Sequence, residues 1–198
     1  AAPLATPKDV AWFLASYARD ASLRIEGVRL PALDSVRTAL EQALGVKFMG
    51  PKGEHFFRAT LVQTLFYGVF SAWVLWCKRH PPSDTKARFN WHEAAWDLRV
   101  PMIKALYDQV ATPGKLGPLG LVEVLNWTGA ALNRVDRATF FQQFVDVEAV
   151  QYFYEPFLEA FDPELRKELG VWYTPIEVVR YMVARVDAVL REELDRPD

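Results

Sequence analysis

Apolar residues recur at three- and four-residue intervals along most of this chain, and the alternation that marks a half-buried strand is almost absent. Val10, Phe13, Leu14, Tyr17 and Ala21 make one helical stripe in a segment opened by Thr6-Pro7-Lys8-Asp9 and closed near Gly27. A shorter helix is expected over about residues 33–44, stopped by Gly45. The turn Gly50-Pro51-Lys52-Gly53 leads into a long helix from about Glu54 to Arg79, broken by Pro81-Pro82-Ser83-Asp84. Asn90 caps a short helix with Glu93 three residues on, and another helix is predicted from about Pro101 to Val110. Thr112 to Gly120 reads as a loop, after which helices resume at about residues 121–132, 138–145 and 147–161. Asp162-Pro163 starts a helix of one or two turns that ends at Gly170. In the last helix Val178, Val179, Met182, Val186, Val189 and Leu190 share one face, and Arg180, Ala184, Asp187 and Arg191 share the other. The pattern predicts an all-α fold, a multi-helix bundle of about eight to ten helices.

The long helix stands apart from the others. Leu65 to Cys77 is thirteen residues without a charge, flanked by Arg58 on one side and by Lys78 and Arg79 on the other. A membrane span needs about twenty mostly apolar residues, and a run of ten to fourteen is more often a core helix. A helix apolar all round is the buried centre of its domain, so Leu65, Val69, Phe70, Trp73 and Leu75 are expected inside. Cys77 at its end then reads as a small core residue. The other bulk numbers agree with a soluble domain: 198 residues, 51% hydrophobic, net charge −2. One cysteine permits no internal disulfide and suits a reducing cytosol, and the N-terminus lacks a secretory pattern, so a cytoplasmic location is expected with no membrane partner.

Catalytic chemistry is not legible in the residues. His55, His80 and His92 pair with no other ligand at metal-site spacing, and His92-Glu93 is followed at the fifth position of the zinc motif by Trp96. Gly114-Lys115 is not a phosphate loop, because Gln109 stands where its first glycine belongs and Leu116 follows the lysine. No catalytic residue and no metal ligand is assigned. The seven tryptophans read mostly as core. Trp91 and Trp96, near Lys86, Arg88 and Arg99, form the best local candidate for contact with nucleic acid or a partner, although the overall charge gives no support for strong direct DNA binding.

The most informative stretch is Gly170-Val171-Trp172-Tyr173-Thr174-Pro175. A glycine stop precedes an aromatic pair and then a Thr-Pro helix start, with Glu177 where a capping-box acid belongs. Such a start presents backbone N–H groups and the positive end of the helix dipole, which suits a carboxylate or phosphate. Together with Phe153-Tyr154-Glu155-Pro156-Phe157-Leu158-Glu159-Ala160-Phe161-Asp162-Pro163-Glu164-Leu165-Arg166, it resembles the run that leads into the core of N6-adenine DNA methyltransferases. The likeness is to large single-chain restriction-modification enzymes and their methylase-only relatives. Gln63 to Ala72 resembles the central helix of the helical domain that precedes that core.

The resemblance implies a helical bundle over residues 1–161, and over 162–198 a linker and first helix leading to a methyltransferase domain that is absent here. It implies that Tyr173, Thr174 and Pro175 help hold S-adenosylmethionine, Thr174 by its hydroxyl and nearby N–H groups and the other two as a wall. Trp172 stands where the family often has Tyr. The Gly-rich cofactor loop and the Asn-Pro-Pro-aromatic tetrapeptide of the family do not occur in this sequence. The chain is therefore expected to be a non-catalytic spacer or coupling fragment that binds no cofactor alone. Its expected partners are the methyltransferase core of the same polypeptide and, through the full-length enzyme, duplex DNA. The rival reading is a self-contained helical protein–protein interaction domain with no enzymatic role.

Overall fold

The first helix begins as its sequence anticipates. Thr6 Oγ1 accepts the Asp9 N–H at 3.1 Å, Pro7 occupies the first turn, and α1 runs Pro7–Ile25. The computed structural model describes residues 4–26, 31–98, 104, 107–108, 110–144, 153–168 and 174–192. Among these residues there is no strand, only a parallel bridge between Leu4 and Val135. The fold is all-α, as the hydrophobic pattern predicted. After α1 come α2 (Pro31–Leu44), α3 (Gly50–Arg79), a 3₁₀ turn (Trp91–Glu93) and α4 (Ala94–Asp97). Then follow α5 (Pro113–Leu116), α6 (Leu121–Leu132), α7 (Arg137–Gln143), α8 (Glu155–Phe161), α9 (Pro163–Glu168) and α10 (Ile176–Glu192).

Several expected boundaries move. α3 starts at Gly50 rather than Glu54, so the expected turn is the first turn of the helix. Gly50 takes a left-handed φ of 68°, Pro51 fits the opening turn, and Gly53 lies so close to Phe48 that a Cβ would overlap its backbone. The expected loop at 112–120 contains the single turn α5, with Pro113 at its start. The helix predicted from Pro101 to Val110 lies mostly outside the described residues, though Lys104, Tyr107, Asp108 and Val110 have helical backbone.

α3 is the axis of the bundle. Leu65, Val69, Phe70 and Trp73 are buried as expected, and Leu75 is half-buried. By length and composition α3 is apolar enough to cross a membrane. Here Phe57, Leu61, Val62, Phe66, Trp76 and Cys77 are buried too, while a stripe through Thr60, Thr64, Tyr67, Ser71 and Leu75 is half-buried. Each large side chain so removed from water contributes about 1.5–3 kcal/mol. α1 packs against α3, α6 and α8, and its contact face is made of Ala11, Leu14, Ala15, Ala18 and Ala21. These small side chains let the helix axes approach. The aromatic centre joins α3 to α7 and α8: Phe70 stacks on Phe153, Trp73 meets Phe140 edge-on at 5.1 Å, and Tyr67 meets Phe157 at 5.2 Å.

Polar clamps close the periphery. Asn133 exchanges two hydrogen bonds of 2.8 Å with the backbone of Phe89. Arg137 donates to the carbonyls of His80 at 2.7 Å and Asp84 at 2.9 Å while lying over the Trp76 ring. Arg24 is bound to Glu123 and Asp20, which hold its guanidinium above its ordinary pKa. Asp136 caps α7, and its hydrogen bonds from Thr139 hold its carboxyl below the usual value. The expected boundary after residue 161 falls between α8 and α9, where Asp162 pairs with His55 of α3 at 3.0 Å.

Candidate functional site

Two places have a geometry beyond packing. The first is the start of α10. Tyr173 lies outside the described residues. Thr174 and Pro175 are exposed, and the Pro175 carbonyl accepts the N–H groups of Val178 at 3.0 Å and Val179 at 3.1 Å. Thr174 therefore stands one residue before a carbonyl that already belongs to the helix, at the end where backbone N–H groups point outward. Backbone N–H groups and the positive end of a helix dipole are the general setting for an anion.

The helix behind this start has an uncovered apolar face. Met182 is 57% exposed and Val186 60% exposed, and Val178, Val179, Val183 and Leu190 are exposed beside them. The opposite face carries Arg191 bonded to Asp187 at 2.9 Å, a one-turn pair in solvent. α10 thus has the pattern of a core-facing helix without a cover among the described residues.

The second place surrounds Trp96. A groove of about 370 Å³ is lined by Trp76, Arg79, His80, Ala87, Arg88, Glu93, Trp96 and Asp97. The sequence drew Trp91 and Trp96 together as one patch, and the structure separates them. Trp91 is 3% exposed, and its Nε1–H donates to Asn126 at 2.8 Å; Trp96 is 85% exposed. Trp91 is a core residue, whereas Trp96 presents its ring to solvent. Arg99 lies outside the described residues. Arg79 and Asp97, which the sequence reading did not single out, form an ion pair on the groove wall with the Asp97 carboxylate buried. They sit on separate helices, so no local spacing announces them. Glu93 is held by the Asn90 amide at 2.9 Å, in the cap the sequence anticipated.

Cys77 lines an open cleft of about 660 Å³ with Arg137, Phe141 and Phe144. Burial pushes its thiol up to about 12, so it carries almost no thiolate near neutrality and is inert. Among the described residues no cluster of His, Cys, Asp or Glu could hold a metal ion. Compared with family models, curated proteins and solved structures, the chain matches none.

Proposed function

We propose that this chain is the helical coupling region that precedes the catalytic core of a cytoplasmic DNA adenine-N6 methyltransferase of a restriction-modification or related defence system. The observation that carries the reading is a coincidence of two features on α10. The Thr174-Pro175 start belongs to the stretch that resembles the entry to such a core, and the helix it opens has an apolar face left in water. Uncovered, that stripe exposes side chains whose burial would each contribute about 1.5–3 kcal/mol. A core packed on α10 would cover the stripe and supply the rest of a cofactor site around Thr174.

In the intact protein S-adenosylmethionine would supply the methyl group for adenine N6, the target base being flipped from the duplex. The role of this chain is positional. By the resemblance, Thr174 would hold the methionine carboxylate through its hydroxyl, with Tyr173 and Pro175 as the adjoining wall. The chain alone transfers no methyl group.

The test uses the intact polypeptide. The coding sequence after Asp198 is expected to encode a Gly-rich loop after a strand and an Asn-Pro-Pro-aromatic box. In that protein Thr174→Ala weakens S-adenosylmethionine binding by roughly ten- to a hundred-fold in calorimetric titration, the effect of losing a hydrogen bond to a charged group. The helix itself loses little, because Pro175 rather than Thr174 holds its cap position. Thr174→Ser restores the affinity. A stop codon after Asp198 would overturn the reading in favour of a self-contained interaction domain. Unchanged cofactor affinity would leave Thr174 as part of the chain's approach to α10 and nothing more.

A further inference from the structure

The segment from Lys78 to Arg88 holds Lys78, Arg79, Lys86 and Arg88 against one carboxylate, Asp84, in a chain of net charge −2. Asp84 is turned inward, where its Oδ1 accepts the N–H groups of Lys86 at 3.3 Å and Ala87 at 3.1 Å. Arg79 is paired with Asp97. Lys86 and Arg88 are exposed, and among the described residues neither forms an ion pair. The Arg88 guanidinium is fixed by its own backbone, donating to the carbonyls of Thr85 at 2.7 Å and Ala87 at 2.9 Å. Its charge is therefore positioned but not cancelled. Trp96, the most exposed large apolar side chain of the described residues, lines the same groove as Arg88, and Lys86 lies two residues before Arg88.

We propose that this groove binds an unstacked nucleotide of a single-stranded nucleic acid, with Trp96 as the stacking platform and Lys86 and Arg88 as phosphate contacts. Aromatic rings beside a cationic track are the means by which proteins hold single strands without reading sequence. An acidic peptide meets the same cations but not the rest of the groove. With Asp97 taken up by Arg79, the Glu93 carboxylate repels another carboxylate and keeps an oxygen to accept an N–H from the amino edge of a base. The groove lies on α3, α4 and the segment between them, so the inference concerns the bundle and stands apart from the reading of α10.

The experiment is a fluorescence anisotropy titration of the 198-residue chain with a labelled single strand of about eight nucleotides, within the footprint usual for such grooves. Trp96→Ala is expected to weaken binding about tenfold, within the range known for loss of one base–aromatic stack. Lys86→Ala and Arg88→Ala are each expected to weaken it and to lower the slope of log affinity against log salt by about 0.7, the value for one phosphate contact on a single strand. Trp12→Ala, at another exposed tryptophan, leaves binding unchanged. Trp96 is almost wholly in solvent, so its loss leaves the fold intact, which circular dichroism checks. No binding of the single strand overturns the proposal, as does equal binding by Trp96→Ala. A polyglutamate peptide that displaces the strand and needs Trp96 equally would reassign the groove to an acidic protein partner.

Discussion

Along α3 apolar side chains occupy most of the circumference, and α1, α4, α7 and α8 bury all but a half-buried stripe through Thr60, Thr64 and Ser71; along α10 they occupy one side, and the described bundle leaves them in water. The first arrangement needs neighbours on most sides, and this chain supplies them. The second needs one neighbour on one face. The difference separates two meanings of hydrophobicity in one molecule. The apolar surface of α3 holds this domain together, whereas that of α10 is available to hold it to something else.

The contrast is broken most severely at the aromatic centre. Phe70→Ala removes a ring that touches Phe153, Trp73, Phe140 and Phe144, and is expected to cost about 3–5 kcal/mol in urea denaturation, a large part of a domain's stability. A cost below about 1 kcal/mol would mean that α3 is not the axis of the core. Gly68→Ala comes next. A Cβ there would overlap the Tyr107 ring, which is buried and fixed, and overpacking of this kind costs about 1–3 kcal/mol. An unchanged midpoint would show that Tyr107 gives way freely.

A pH series probes how α3 is anchored at its start. Burial raises the pKa of Glu54, but hydrogen bonding and charge from Arg37, with help from Arg58, outweigh it and leave the carboxyl below its ordinary value of 4.5. A depressed folded pKa gives stability that is present above the ordinary value and lost as pH falls through the folded one. Thermal melts from pH 6 towards 3 are therefore expected to show a loss that Glu54→Gln lacks. Because Glu54 is more than a third exposed, solvent screening keeps the effect to about 1 kcal/mol or less. The smallest effect belongs to α10. Val186→Ser is expected to change the stability of the 198-residue chain by less than about 0.5 kcal/mol, since nothing here covers Val186. A larger loss would mean that the stripe is packed in this chain after all, and the contrast with α3 would fall.

Much of this was readable along the chain because it is local. Thr6, Asn90 and Asp136 cap helices by bonds to residues two or three positions on, so spacing alone announces the first two. The charge-free run from Leu65 to Cys77 announced the buried axis, because no helix apolar on all sides is stable in water. The stripe on α10 was equally legible, since helical period is a property of consecutive residues. What only the tertiary structure decided is where each face ends up. Trp91 and Trp96 are the same residue type five positions apart, yet one is sealed against Asn126 and the other stands in solvent. Gly68 matters because Tyr107 lies on it, and Arg79 meets Asp97 because α3 and α4 pack together. Pattern fixes which side of a helix is apolar. Burial depends on partners distant in sequence, and those contacts exist only once the chain has folded.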